Sequence, residues 1–459
     1  MEPSRVLTQY LAATAANLAT VMAGCALGWT SPALPKVSIP KDPQNSENEG
    51  WALFDTEETS WIGSLTPAGA IVGPFIAANL ADAIGRKWTL LLSAIPSFIG
   101  WMMIIFVETV APICVARFII GVGVGMVFAV APMYVGEISE NRVRGALGSF
   151  LQLLIVVGFL VEYCIGPYVQ YSILAVVSAI IPVMFAVSFF FFPESPYYLL
   201  AKGKQEEAAK ALQWFRGQSR NGIQKELEGM QATVEEEMKN KAKLSDLIAT
   251  KGNIKALYLS LGLVAGQQLS GINAVLFYSQ DIFTASGGSL GGAEATIIIG
   301  WVMFLASGVT PLVVERLGRK MLLLISAGGM ILGLIVLGVY FFMSNDGQDV
   351  SSIGWLPIIS LVFYIVVYSV GFGPLPWAVM GELFPSNVKS NASACTASFC
   401  WVIGFLITKF YSNMAEGLGN HYTFWIFAIF TACSGAFIFF LLPETKGKSL
   451  QEIQAILNK

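Results

Sequence analysis

The sequence predicts an all-α membrane protein with twelve transmembrane helices, arranged as two six-helix pseudo-repeats with a cytoplasmic helical insert. Three observations predict this fold: the composition, the number of apolar runs, and a set of loop motifs that recurs in the second half. Of the 459 residues, 55% are hydrophobic and only 12% are charged, whereas soluble proteins are about 25% charged. So little charge excludes a water-soluble enzyme, a disordered chain and a nucleic-acid-binding protein.

The apolar runs supply twelve candidate membrane helices, because about 20 apolar residues cross a bilayer core of about 30 Å. The predicted spans are residues 8–30, 59–80, 88–107, 111–134, 145–167, 172–192, 254–283, 293–314, 321–343, 354–380, 390–412 and 422–442. Between the sixth and seventh spans, the 63 residues from Pro193 to Lys255 hold 20 charged side chains. Charge blocks at helical spacing predict short amphipathic helices there. We therefore expect a six-helix half (1–193), an insert (194–253), a second half (254–442) and a cytoplasmic tail (443–459).

Basic residues predict the orientation of the chain, because cytoplasmic loops are enriched in lysine and arginine. Placing both termini and the insert on one side collects there nearly all of the loop lysines and arginines, eleven of them from Lys202 to Lys255. The other side keeps Lys36, Lys41 and Lys409. We expect both termini and the insert to be cytoplasmic, and the protein to lie in the plasma membrane, where it works as a monomer.

Three loop motifs recur in the two halves, each after the corresponding span. Gly85-Arg86-Lys87 is matched by Gly318-Arg319-Lys320, and Pro193-Glu194-Ser195 by Pro443-Glu444-Thr445. Glu137 with Arg144 seven residues later is matched by Glu382 with Lys389. Parallel repeats of this kind hold substrate at the membrane midplane and rock around it. The charged loop residues therefore predict an ionic latch between the halves on the cytoplasmic side: Asp82, Arg86, Glu137, Arg144, Glu315, Arg319, Glu382 and Lys389.

The polar residues of the spans predict a neutral substrate. Charged residues are few, with Arg117, Glu162 and Asp281 near span ends. The mid-span polar residues are uncharged amides, which donate and accept hydrogen bonds at once and so suit a ligand covered in hydroxyls. They are Gln152, Gln267, Gln268 and Asn273.

Aromatic residues and helix breakers lie near these amides along the sequence. Aromatic faces stack on the C–H faces of sugar rings, and the candidates are Phe277, Tyr278, Trp377 and Trp401. The seventh span can unwind at Gly271, and the tenth contains two glycines and two prolines between Gly371 and Pro376. Broken helices occur in membranes where they line a cavity. Glycine pairs such as Gly24/Gly28, Gly69/Gly73 and Gly121/Gly125 are instead typical of helix packing.

Other classes of site find no support in the sequence. No catalytic constellation, disulfide spacing or metal-ligand spacing is present, so we expect neither an enzyme nor a cofactor or metal requirement. A sugar substrate and the lipid bilayer are the expected partners.

Together these motifs resemble the sugar porter family of the major facilitator superfamily over about Val6–Ile453. Further matches to that family are Pro132-Met-Tyr134, Pro193-Glu-Ser-Pro196, Gln267-Gln-Leu-Ser-Gly-Ile-Asn273, Gly373-Pro-Leu-Pro-Trp377 and Pro443-Glu-Thr-Lys-Gly447. The segment Gly28-Trp-Thr-Ser-Pro-Ala-Leu-Pro35 is similar to insect facilitated trehalose and glucose transporters and their class III mammalian relatives.

The resemblance implies a major facilitator fold and a role for each candidate residue. Gln152, Gln267, Gln268, Asn273 and Trp377 would contact sugar, and Trp401 would line the cavity. Tyr278 would belong to the outer gate, which we extend to Phe277. The loop charges would form the inner latch. Met303 and Cys400 stand where the family has asparagines, and Lys389 replaces the usual arginine and its bidentate fork.

The expected function is facilitated diffusion of a sugar by alternating access, with a hexose such as glucose or the disaccharide trehalose left open. Proton-coupled members carry an aspartate in the first span, where this chain has Thr30. Two alternatives stay open: proton symport through another acid such as Glu137 or Glu162, and a non-transporting sugar sensor. Sensors of this family tend to have long cytoplasmic tails.

Overall fold

A computed structural model describes residues 6–39, 53–240, 243–448 and 450–458, and describes the backbone alone at six positions within them: Pro311, Val314, Glu315, Arg316, Ser386 and Leu450. The regular secondary structure of these residues is helical apart from one isolated bridge between Ser38 and Phe54. Twelve of the helices described are long and apolar enough to cross a membrane. The predicted number of spans and their positions are therefore confirmed.

The first half contains six spans built from eight helices. Two spans bend without ending: the first at Trp29 and the third at Ser93. The helices are α1 (Val6–Gly28), α2 (Thr30–Val37), α3 (Thr56–Ile84), α4 (Arg86–Leu92), α5 (Ala94–Phe106), α6 (Val110–Ile138), α7 (Arg144–Ile165) and α8 (Tyr171–Phe189). Helix α3 begins with a capping box, in which the Asp55 side chain accepts from Glu58 N–H and Glu58 accepts from Asp55 N–H. This box fixes where the chain enters the second span.

The insert consists of three short amphipathic helices that pack beneath the first half and a 3₁₀ turn that packs against the second half. They are α9 (Pro196–Ala201), α10 (Gln205–Arg216), α11 (Arg220–Lys239) and a 3₁₀ turn (Leu244–Ile248). Arg216 is fully buried and donates to Glu226 at 2.7 Å and to the Ile138 carbonyl at 2.8 Å. Thr8 of α1 also donates to the Phe215 carbonyl. These bonds attach α10 and α11 to the ends of α1 and α6.

The second half repeats the plan with two broken spans. The helices are α12 (Lys251–Leu269), α13 (Ile272–Phe277), α14 (Ser279–Ser286), α15 (Gly292–Leu317), α16 (Arg319–Asn345), α17 (Leu356–Val370), α18 (Leu375–Leu383), α19 (Ser386–Gly417), α20 (Asn420–Leu441) and α21 (Leu450–Asn458). The tail helix α21 packs on this half, where Gln454 donates to the Leu383 carbonyl and Asn458 accepts from Gly252 N–H. The interrupted spans lie where the sequence predicted them.

Glycines bring neighbouring helices into close contact, as predicted. A Cβ added at Gly69 of α3 would lie 2.1 Å from the Phe118 carbonyl oxygen of α6, and one at Gly121 would lie 2.1 Å from the Thr66 oxygen. A Cβ at Gly24 of α1 would lie 2.1 Å from the Ile155 oxygen of α7. Only glycine permits backbones to approach this closely.

The two ends of the helical bundle are formed by different elements, and we call them the insert side and the far side. The insert side carries the start of α1, the insert, the Gly85 and Gly318 turns and α21. The far side carries α2, the start of α3 and the end of α19.

Candidate functional site

The seventh span is interrupted at Ser270 and Gly271, between α12 and α13. Gly271 has φ +86°, a left-handed conformation that glycine adopts without strain. The Ser270 carbonyl, freed by the break, accepts from the Tyr364 hydroxyl at 3.0 Å. The break is therefore stabilised by hydrogen bonds from the tenth span.

The tenth span is interrupted between Gly371 and Pro374, opposite the first break. Gln267 of α12 donates through Nε2 to the carbonyl oxygens of Phe372 at 2.7 Å and Gly373 at 2.9 Å. One glutamine thus satisfies two carbonyls that the broken α17–α18 helix cannot pair itself.

Three of the predicted sugar-contacting amides and one thiol form a continuous chain of hydrogen bonds. Gln268 Nε2 donates to Cys400 Sγ at 3.1 Å, and Cys400 Sγ donates to Gln267 Oε1 at 3.8 Å. Asn273 Nδ2 donates to Gln268 Oε1 at 2.5 Å. We call Asn273, Gln268, Cys400 and Gln267 the amide–thiol chain. It carries no net charge and joins α13, α12 and α19 to the break in the tenth span.

The remaining candidates for the substrate path lie on other helices. Gln152 of α7 and Trp377 of α18 are half-buried. Trp401 of α19 is 8% exposed, and its ring meets Phe128 of α6 edge-to-face at 5.4 Å. Trp401 therefore contacts the first half from the second.

The two residues predicted for the outer gate are packed between neighbouring helices. Phe277 and Tyr278 are both buried. The Tyr278 hydroxyl donates to the Thr408 carbonyl at 2.9 Å, and its ring stacks on Tyr411 at 5.1 Å. A Cβ at Gly63 of α3 would lie 2.7 Å from the Tyr278 hydroxyl oxygen, so the tyrosine fits against the first half only because residue 63 is glycine.

Polar contacts also join the two halves on the far side. Lys409 of α19 is 4% exposed and donates to Glu57 of α3 at 2.7 Å and to Ser60 at 2.8 Å. Thr56 of α3 donates to Glu416 of α19 at 2.5 Å. We call these residues the far-side clasp. Nearby, Gln280 N–H donates to Ser31 and the Tyr163 hydroxyl donates to the Leu276 carbonyl.

On the insert side, the charged residues of the first half bind one another. Arg86 Nε lies 3.0 and 3.1 Å from the two Glu137 oxygens, and Asp82 lies 3.6 Å from Arg86. Glu194 accepts from the backbone N–H groups of Arg86 and Lys87 at the start of α4. Ser195 donates to Glu137.

The second half repeats this cluster. Arg319 lies 3.0 Å from Glu382, Glu444 accepts from the backbone N–H groups of Arg319 and Lys320, and Thr445 donates to Glu382 at 2.5 Å. We call these groups the first and second charge clusters. Each lies within its own half.

Two predicted latch residues, Arg144 and Lys389, lie outside the clusters. Arg144 is exposed and donates to the Ser139 carbonyl, and Lys389 is exposed. The side chain of Glu315 lies outside the described residues.

The two charge clusters are completed by Glu194 and Ser195 in the first half and by Glu444 and Thr445 in the second. The sequence identified these residues as part of the repeat but did not predict their contacts with the charged residues. The matched Pro-Glu-Ser and Pro-Glu-Thr triplets were the signal that could have assigned them. Burial raises the pKa of Glu194. The backbone N–H groups and Arg86 act to lower this pKa, but they offset the effect of burial only in part. Burial also acts to raise the pKa of Glu444, but four backbone N–H groups outweigh it and hold that pKa below its usual value.

Two six-helix halves, closed on one side and enclosing an uncharged amide cluster at two broken helices, define a membrane transporter. The fold matches solved transporters of the major facilitator superfamily. The partially occluded inward-open xylose transporter XylE from E. coli has a TM-score of 0.80 at 22% identity, with 96% of this chain and 99% of that chain covered. A proton:xylose symporter XylE structure with bound 6-bromo-6-deoxy-D-glucose has a TM-score of 0.77 at 23% identity, covering 98% and 99%.

The chain belongs to the sugar (and other) transporter family, whose model matches residues 13–457. It is 38% identical over 451 residues to the facilitated trehalose transporter Tret1 of Bombyx mori, covering 98% of this chain and 87% of the relative. It is 37% identical to Tret1 of Aedes aegypti, of which it spans 55% of the length. The protein is therefore a sugar transporter and not an enzyme.

Proposed function

We propose that this protein is a facilitative uniporter that moves trehalose down its gradient by alternating access, with glucose as the second candidate substrate. The amide–thiol chain is the observation that supports this best, because neutral amides beside aromatic rings bind hydroxyl groups without attracting ions. The trehalose transporters among its relatives favour the disaccharide.

In the proposed cycle, the sugar binds between the halves. Gln152 contacts it from the first half, while Gln267, Gln268, Asn273 and Trp377 contact it from the second. Trp401 lines the cavity, and Phe277 and Tyr278 close the path on the far side. The polar and aromatic contacts described above between the halves lie at mid-depth and on the far side, and we therefore assign this structure to a state open toward the insert.

The charge clusters then act as the latch of the opposite state. Their ion pairs lie within single halves here, and Arg144 and Lys389 are exposed. When the insert side closes, Arg144 would approach Glu382 across the interface and Lys389 would approach Glu137. Opposite charges that meet while solvent leaves stabilise the closed insert side.

We further propose that the insert side is cytoplasmic, that both termini lie there, and that the protein works as a monomer in the plasma membrane. The concentration of lysines and arginines on the insert side supports the orientation.

Proton symport is the second candidate, and Glu162 is the residue that favours it. This carboxyl group is fully buried in α7 and accepts from the Ser178 hydroxyl at 2.7 Å. A buried intramembrane carboxyl group is a candidate proton carrier. Glu162 and its partner Ser178 both belong to the first half and lie away from the amide–thiol chain, so we rank proton symport second.

Uptake of labelled trehalose, glucose and fructose into proteoliposomes tests the proposal. We expect trehalose uptake and trehalose counterflow that persist with a protonophore. Proton uptake stoichiometric with sugar would establish symport, and sugar binding without uptake would establish a sensor. Gln267→Ala should raise KM by about tenfold, because it removes a sugar contact and leaves two carbonyls unpaired. An unchanged KM in a stably folded variant would contradict the site.

A further inference from the structure

Cys400 lies between the two neighbouring glutamines of the proposed sugar site. It is buried on α19 and faces α12. A thiol carries one hydrogen, so it can donate to one amide and accept from the other. Here it accepts from Gln268 Nε2 at 3.1 Å and donates to Gln267 Oε1 at 3.8 Å. The single hydrogen is enough for both bonds.

The orientation of Gln267 follows from the carbonyl groups that it meets. The oxygens of Phe372 and Gly373 only accept, so the NH₂ group of Gln267 must face them, and both of its hydrogens are used. Its oxygen is then directed toward Cys400. One lone pair of that oxygen receives the thiol, and the Tyr368 side chain also hydrogen-bonds to Gln267. Gln267 therefore offers a sugar an acceptor and no donor.

Helix α19 also contacts the Asn273 end of the amide–thiol chain, through Gly404. A Cβ at Gly404, one turn after Cys400, would lie 3.1 Å from Asn273 Nδ2 and 3.3 Å from Gln268 Oε1. This separation is tighter than ordinary van der Waals contact. A side chain at residue 404 would press on the bond between Asn273 and Gln268, so α19 accommodates this amide pair at two successive turns.

We propose that Cys400 is a positioning residue for sugar selectivity, whose thiol fixes the orientation of Gln268 and occupies one lone pair of the Gln267 oxygen, and so determines which hydroxyl groups the site recognises. This inference rests on the proposed function. The thiol accepts from the Gln268 NH₂ group. The carbonyls of Phe372 and Gly373 leave Gln267 with only its oxygen to offer. A sugar must then present a hydroxyl hydrogen to Gln267. Without the thiol, Gln268 loses a fixed partner and can turn.

Kinetics of the full-length protein in proteoliposomes test this role. The variants are Cys400→Ala, Cys400→Ser and Gly404→Ala, and the matched control is Cys395→Ala, a half-buried cysteine on the same helix. KM and maximal rate are measured with trehalose and glucose, together with the melting temperature of each purified variant. Serine keeps one donor and one acceptor but reaches less far than sulfur.

We expect Cys400→Ala to raise KM by about 3- to 10-fold, the range for one lost hydrogen bond, with a maximal rate within about twofold of wild type. Its KM ratio between trehalose and glucose should also change. The KM of Cys400→Ser should lie between those of wild type and Cys400→Ala. Gly404→Ala should raise KM above the wild-type value, and Cys395→Ala should have the wild-type KM.

Equal KM values and sugar ratios for Cys400→Ala and Cys395→Ala would overturn the inference while leaving sugar transport intact. If Cys400→Ala does not fold, wild-type KM values in both Cys400→Ser and Gly404→Ala would overturn it. A wild-type protein that transports none of the sugars would contradict the proposed function, and this inference with it.

Discussion

The far side and the insert side of the molecule use polar residues in opposite ways. On the far side, Lys409 and Glu57 bond across the interface between the two halves. On the insert side, Arg86 pairs with Glu137 and Arg319 pairs with Glu382, each within one half. The far-side bonds must break when that side opens, whereas the insert-side bonds can persist through the motion. The two ends therefore have different roles: one holds a conformation and the other holds each half together.

The exposure of the charged groups differs as well. Lys409 is almost completely enclosed, and its ammonium group contacts Glu57, Ser60 and the ring of Trp61, whose centroid lies 4.6 Å away. Arg144 and Lys389 remain exposed on the insert side. Exposed cations at these positions are what the proposed latch requires.

The largest effect should come from removing the cation of the first charge cluster. Arg86→Ala leaves Glu137 partly buried without the N–H donor that its two oxygens share, and we expect the free energy of unfolding to fall by about 2 to 3 kcal/mol. Arg319→Ala should cost about 1 kcal/mol, because its pair with Glu382 is more exposed. Side-chain exposures are 16% and 19% in the first pair and 23% and 28% in the second.

Thermal unfolding of the purified variants measures the difference. Arg86→Lys is the control that keeps the positive charge but not the guanidinium N–H groups. Equal losses for Arg86→Ala and Arg319→Ala would show that burial does not distinguish the two clusters.

A smaller effect should follow from opening the far-side clasp. Lys409→Ala removes two bonds between the halves, so we expect the population open on the far side to rise about fivefold, as a loss of about 1 kcal/mol predicts. The readout is the rate at which an impermeant thiol reagent added from the far side labels Ser398→Cys. Ser398 donates across the interface to the Ile71 carbonyl and is 8% exposed.

Lys36→Ala is the matched control for the clasp. Lys36 also lies on the far side, but it donates to the carbonyls of Pro167 and Val169 within the first half. Its removal should leave the labelling rate unchanged. A rise as large as that of Lys409→Ala would mean that bonds across the interface have no special role in closure.

The smallest effect concerns pH and the two matched glutamates of the charge clusters. The pKa of Glu194 is raised from 4.5, so the folded protein holds its proton more tightly, and this group lowers stability as pH rises through the shifted pKa. The pKa of Glu444 is lowered from 4.5, so this group adds stability above that value, which is lost as pH falls.

Melting temperatures between pH 4 and 7 for wild type, Glu194→Gln and Glu444→Gln measure this difference. Lowering the pH should stabilise wild type relative to Glu194→Gln and destabilise it relative to Glu444→Gln. The same direction for both variants would contradict the assignment.

The fold could be predicted from sequence because membrane crossing requires long apolar helices, and the loop motifs mark their repeat. The break at Gly271 was predictable too, since glycine stands beside the amides. The sequence also grouped Gln267, Gln268 and Asn273, which the structure joins by hydrogen bonds, while their contact with sugar stays a prediction. Hydrophobicity and motif position were sufficient for these assignments.

Partners across the interface could not be predicted from the sequence. Lys409 was placed on the far side without its contact to Glu57, because the two residues are far apart in the chain and lie on different helices. Cys400 was noted only as a replacement for an asparagine, although it connects two glutamines. The charged motifs indicated a latch but not that, in this conformation, each cluster would pair within its own half. Such contacts depend on how the two halves are tilted relative to each other.

Cross-linking the far side tests alternating access most directly. Thr56→Cys and Glu416→Cys replace two side chains in contact across the interface, and oxidation or a short bifunctional maleimide can join them in proteoliposomes. Wild-type protein treated in the same way controls for the native cysteines. If the far side must open in every cycle, disulfide formation should abolish trehalose uptake and reduction should restore it. Continued uptake by fully cross-linked protein would contradict the account.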